Sequence, residues 1–171
     1  MSSYVAQPLS RVKIRNLALE MRDALGVKDV KEFPVMQFLE HILPQVDPEF
    51  VYDVMPIHEM GGHYGLAIPQ DHTILLREDV YENAVKGVPR DRFTVAHEIG
   101  HYFLHTPSRV AFARGNDLRK VPAYLNPEWQ ANTFAGELLA PPNVIKDLSL
   151  FEIMSHCKVS RKVAEIQIRD C

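Results

Sequence analysis

Two histidines four residues apart with a glutamate behind the first, His97-Glu98-Ile99-Gly100-His101, are the residues of this 171-residue chain best suited by type and spacing to do chemistry. On a helix, positions four apart share a face, so both imidazoles can point at one cation while the Glu98 carboxylate reaches water bound to it. Such a set supports hydrolysis by a metal-activated water, with His97 and His101 as metal ligands and Glu98 as general base. The flanking residues suit a helix over about 89–105. Pro89 is placed for its first turn, apolar residues recur along it, and Thr106-Pro107 ends it.

A catalytic zinc takes three protein ligands and keeps one position open, so a further ligand must come from elsewhere. His105 lies about 12 Å beyond His97 along a helix axis, too far to share a tetrahedral ion. No glycine in Tyr102-Phe103-Leu104 could reverse the chain, so His105 is expected at a helix end, in packing or behind a ligand. Glu128 and Asn132 share a helix face, which allows Glu128 to bind the ion while Asn132 accepts the ring N–H of a ligand histidine and fixes its tautomer. Glu137, nine residues on, points about 180° away from Glu128, so both cannot face the ion. Glu128 is the expected third ligand, with Glu137 and Asp117 as the alternatives. The pseudo-motif His58-Glu59-Met60-Gly61-Gly62-His63 has the wrong spacing and reads as a loop. Tyr102, Tyr124, His63 and Arg114 are candidates to stabilise an oxyanion, with nothing to choose among them.

The elements that must position these residues follow from periodicity and punctuation. Helices are expected over about 10–25, capped by Ser10 and stopped by Gly26, and over about 34–43, closed by Pro44. Strands are expected over 50–55, 64–68 and 73–77, and a short helix capped by Asp79 runs to Lys86. Asn126-Pro127-Glu128 starts a helix that Pro141-Pro142 stops, an irregular loop over 107–125 lies beside the site, and the tail from Asn143 holds two short helices, the second opened by Ser160. The expected class is α+β: a small, mainly antiparallel sheet packed on the active-site helix and further helices. One domain over 1–171 is expected, with a helical part about 10–45, sheet about 50–77, active-site helices about 89–105 and 127–139, and a helical tail 143–171.

A hydrophobic share of 46%, 24% charged residues and a net charge of -3 fit a globular protein without a basic footprint for nucleic acid. The first residues show no basic-then-apolar leader and no later run approaches the ~18 apolar residues of a membrane span, so a cytoplasmic location is expected. Cys157 and Cys171 make no disulfide framework.

The segments RFTVAHEIGHYFLH (92–105) and EWQANTFAGELLAP (128–141) together resemble the ImmA/IrrE metallopeptidase family, most specifically over about 73–145. The resemblance implies a zincin-like domain of the gluzincin kind with Zn2+ on His97, His101 and Glu128 and with Glu98 as base. It also implies an intracellular enzyme of phages, mobile elements or stress responses that cleaves a helix-turn-helix repressor. Ala140 stands where the family often has Met. Two other functions fit the residues: a zinc-fold module that sequesters a regulator or serves in a toxin-antitoxin pair without cutting, and a non-peptide zinc hydrolase. Glu98 favours an enzyme, since a pure binder needs no base beside the ion.

Overall fold

The computed structural model describes residues 4–106, 110–112 and 121–171. Strand β1 (Tyr4–Ala6) leads into helix α1 (Arg11–Ala24), which Ser10 caps by accepting from the Lys13 N–H and which ends before Gly26 at φ +70°. The next helical stretch does not stop at Pro44. It runs as α2 (Val35–Gln37), a widened turn Phe38–Ile42 and α3 (Leu43–Val46). In that turn the Leu43 N–H reaches back to the Phe38 carbonyl, a five-residue span that lets the helix pass the proline ring.

Strands β2 (Val51–Met55), β3 (Gly65–Ile68) and β4 (Thr73–Arg77) follow, close to expectation. The sheet is mixed: β4 is central, antiparallel to β3 and parallel to β2. Helix α4 (Glu78–Val85) begins one residue before the expected Asp79 cap, with Arg77 in the cap position, and the Asp79 carboxylate binds the Arg77 guanidinium at 2.6 and 2.9 Å. Gly87, at φ +84°, turns the chain into α5 (Pro89–Leu104), the helix that carries the histidine motif. Strand β5 (Val110–Phe112) pairs antiparallel with β1, a two-stranded sheet that the periodicity of such short segments did not reveal. The rest of the expected loop between 107 and 120, with Arg114 and Asp117, lies outside the described residues.

Helix α6 (Pro127–Leu139) begins at Asn126, whose side chain accepts from the Glu128 and Trp129 N–H groups. The tail forms three helices rather than two: α7 (Pro142–Ile145), α8 (Leu150–Cys157) with a Ser149–Glu152 capping box, and α9 (Arg161–Arg169) capped by Ser160. Core side chains from α1, β4, α5, α6 and α8, including Ile14, Ile74, Leu76, Ile99, Phe134, Leu138 and Ile153, form one buried cluster. The architecture is α+β. Among the described residues no helix is long and apolar enough to cross a membrane.

Candidate metal centre

The close approach of α5 and α6 brings the centre together. A Cβ on Gly100 would stand 3.0 Å from the Phe134 ring and 3.3 Å from the backbone of Ala131, tighter than side chains ordinarily pack, so glycine eases the close approach of α6. Glu128, in the first turn of α6, then faces the histidines. His97 Nε2 and His101 Nε2 are 3.0 Å apart, and the Glu128 oxygens lie 3.3 Å from the first and 3.1 Å from the second. Bonds of ~2.0–2.1 Å to a tetrahedral ion place its ligand atoms about 3.3 Å apart, so the spacing fits the edges of such a site.

Hydrogen bonds on the far side of each ring decide what those nitrogens present. Asn132 Oδ1 lies 2.8 Å from His97 Nδ1, so that Nδ1 carries the proton and Nε2 keeps its lone pair. His101 Nδ1 meets His105 Nδ1 at 2.8 Å, and His105 Nε2 meets Gln130 Oε1 at 2.8 Å. The Gln130 amide cannot be the other way round, because its Nε2 donates to the Gln7 and Tyr124 carbonyls, both at 2.8 Å. His105 therefore carries its proton on Nε2, accepts on Nδ1 from His101, and leaves the His101 Nε2 lone pair toward His97 and Glu128. Burial pushes His105 down to about 4, which keeps it neutral and able to accept.

Two lone pairs and a carboxylate this close repel unless something positive lies among them. Protons answer part of the demand. Burial alone would lower His97, but the hydrogen bond to Glu128 and the charges of Glu98 and Glu128 raise it, and the two rings hold Glu128 well below the ordinary carboxylate range. A divalent cation answers all of it, and the two-histidine, one-glutamate donor set fits one.

Glu98 lies on the same helix, buried and aimed at β3. Its Oε2 accepts the Ala67 N–H at 2.9 Å, and burial raises its pKa, opposed by the neighbouring His97 and His101. A Cβ on Gly65 would stand 2.8 Å from Glu98 Cγ, so glycine at the start of β3 makes room for this carboxylate.

The other candidates lie elsewhere. Glu137 is fully buried and pairs with Arg11 at 3.0 Å and Arg15 at 2.9 Å, fastening α6 to α1. His58 is 81% exposed beside Glu59, His63 is exposed, and Tyr124 is half exposed, while Tyr102 turns away to donate to Asp47. Asp47, Glu49 and His72 form a second polar group, with His72 Nδ1 2.6 Å from Asp47 and Nε2 3.1 Å from Glu49. Because each ring nitrogen faces a different carboxylate, this group reads as a charged clasp. Sequence reasoning missed Gln130 and Gly65. The signal for Gln130 was a polar residue at a core position of the apolar series Pro127, Ala131, Phe134.

No curated relative matches the chain. The sequence model of the peptidase M78 family, described as the IrrE N-terminal-like domain, matches residues 54–169, from within β2 to the end of α9, and so covers the histidine helix, Glu128 and Asn132. With more than half of its length matched, the chain belongs to the peptidase M78 family of metallopeptidases.

Proposed function

We propose that this protein is a zinc-dependent endopeptidase acting in the cytoplasm on a helix-turn-helix repressor. The observation that carries the peptidase reading is the convergence of His97, His101 and Glu128, with Glu98 held beside them at a sheet edge. His97, His101 and Glu128 would hold the zinc, which when bound would supply a water acidified toward neutrality and a Lewis acid for the scissile carbonyl. Asn132 and the His105–Gln130 pair hold the rings in the tautomers that leave Nε2 free. Glu98 keeps one oxygen on the Ala67 N–H, which leaves the other to take the proton of the attacking water and return it to the leaving amine.

The sheet supports a peptide substrate. β4 is central and β3 is an edge, and the Ala67 N–H points off the sheet toward Glu98 rather than to β4. In an antiparallel strand one residue's N–H and C=O point the same way, so alternate residues of β3 offer their backbone to an incoming strand beside the base. The repressor as substrate rests on the resemblance of the motif segments to ImmA/IrrE enzymes.

The test is incubation of the purified protein, with zinc and with a chelator, against the repressor encoded nearest to it, following fragment masses. Zinc-dependent fragments, absent with Glu98→Gln at undiminished zinc content, are expected. Full cleavage by that variant sinks the assignment of the base. Equal binding by both proteins without fragments replaces the peptidase with a sequestering module.

A further inference from the structure

A groove of about 650 Å³ opens between α6, the first half of α5 and α9, within the ~300–1,000 Å³ of ligand-sized pockets. Its apolar wall is Phe93, Trp129, Val163 and Ile166. Its charged lining is four cations, Arg11, Arg90, Lys162 and Arg169, against the single carboxylate of Asp170, in a chain whose net charge is -3. Asp170 pairs with Arg11 at 3.4 Å and with Arg169 at 2.9 Å, which accounts for two of the four. Among the described residues Arg90 and Lys162 form no ion pair within 4 Å, the neighbouring Asp91 carboxylate acting on Arg90 only from a longer distance, and both cations are exposed. Arg90 lies over the Tyr64 ring, 4.7 Å from its centroid, just before the edge strand β3. The groove also reaches the metal centre, since Asn132 lines it while bonding His97, and Trp129 follows Glu128 on α6.

We infer that this groove seats an acidic, apolar-anchored segment of the protein to be cut, to one side of the scissile bond. The inference rests on the peptidase reading and adds the class of sequence the enzyme selects. Apolar side chains bury against Trp129 and Val163, and carboxylates meet Arg90 and Lys162 at the rim. Such pairs select partners by charge and respond to salt.

Trp129 is the only tryptophan of the chain, so its emission reports occupancy without catalysis. The probes are an acetylated hexapeptide of alternating Glu and Leu and its counterpart with Lys for every Glu, titrated into zinc-loaded Glu98→Gln protein. The acidic peptide is expected to shift the emission saturably and to bind at least tenfold tighter than the basic one, with the gap closing as salt rises. The double variant Arg90→Glu/Lys162→Glu, altered only at exposed positions, is expected to reverse the preference. Equal binding of both peptides, acidic-peptide binding untouched by the double reversal, or tighter binding of single-stranded oligothymidylate overturns the inference. Saturable acidic-peptide binding by a protein whose wild type cuts no repressor keeps the groove and removes the peptidase reading. Repressor cleavage without peptide binding does the opposite.

Discussion

Replacing Gln130 by leucine tests whether the far-side hydrogen bonds set the metal centre. Gln130 is fully buried, and leucine keeps much of its volume while removing three hydrogen bonds of 2.8 Å. His105 loses the acceptor that holds its proton on Nε2. Once that proton can reside on Nδ1, it faces the His101 Nδ1–H at a separation of 2.8 Å, and one ring must give up its proton there. A His101 protonated on Nε2 cannot bind the ion. Loss of such an outer hydrogen bond lowers metal affinity about 10–100-fold, or about 1.4–2.8 kcal/mol. The two hydrogen bonds to the Gln7 and Tyr124 carbonyls are also lost, at about 0.5–1.5 kcal/mol each or about 1–3 kcal/mol together. The metal-free protein should therefore melt about 2–12 °C lower. Competition with a chromogenic chelator measures the first effect and calorimetry of metal-free protein the second. Gln130→Glu separates them, because a carboxyl still accepts from His105 but cannot serve both carbonyls: its metal affinity should return toward wild type while its stability stays low. Wild-type zinc affinity in Gln130→Leu, or equal affinity loss in both variants, refutes the tautomer reasoning.

Gly65→Ala should leave zinc affinity intact and cut turnover by tenfold or more, because its Cβ would stand 2.8 Å from Glu98 Cγ and displace the base; steady-state kinetics at saturating zinc checks this. Gly100→Ala should weaken zinc binding and stability together, by about 1–3 kcal/mol in the latter, since the clash with Ala131 and Phe134 pushes Glu128 away from the histidines; paired chelator competition and melting read both. Glu137→Gln should cost about 3 kcal/mol or more of stability by leaving Arg11 and Arg15 half-paired around a buried site, with zinc affinity unchanged; a loss of affinity would return Glu137 to the ligand set. The Asp47–His72 clasp should give a pH-dependent stability, because its hydrogen bond raises His72 above 6.5 and lowers Asp47 below 3.8. His72 contributes fully below 6.5 and loses its contribution as pH rises through the raised value, while the Asp47 contribution is lost as pH falls through its lowered value. The melting difference between wild type and His72→Ala should thus be largest in mildly acid solution and shrink above neutrality; a difference independent of pH would refute the clasp.

The chemistry was legible locally because a metal motif and a helix share one period. Four-residue spacing puts His97 and His101 on one face whatever surrounds them, and Asn126-Pro127 starts a helix by its own cap chemistry, so Glu128 and Asn132 are paired by spacing alone. The same phase rule separates Glu137 from Glu128, and the structure sends it to Arg11 and Arg15. What spacing cannot carry is distance between segments. That Gly100 lets α6 close on α5, that Gly65 makes room for Glu98, that β4 rather than β3 is central, and that Gln130 fixes a proton two rings away depend on residues up to 34 positions apart in sequence meeting in space. Local rules govern dihedrals and faces, whereas these contacts are set by how whole elements pack, and only the folded chain decides that.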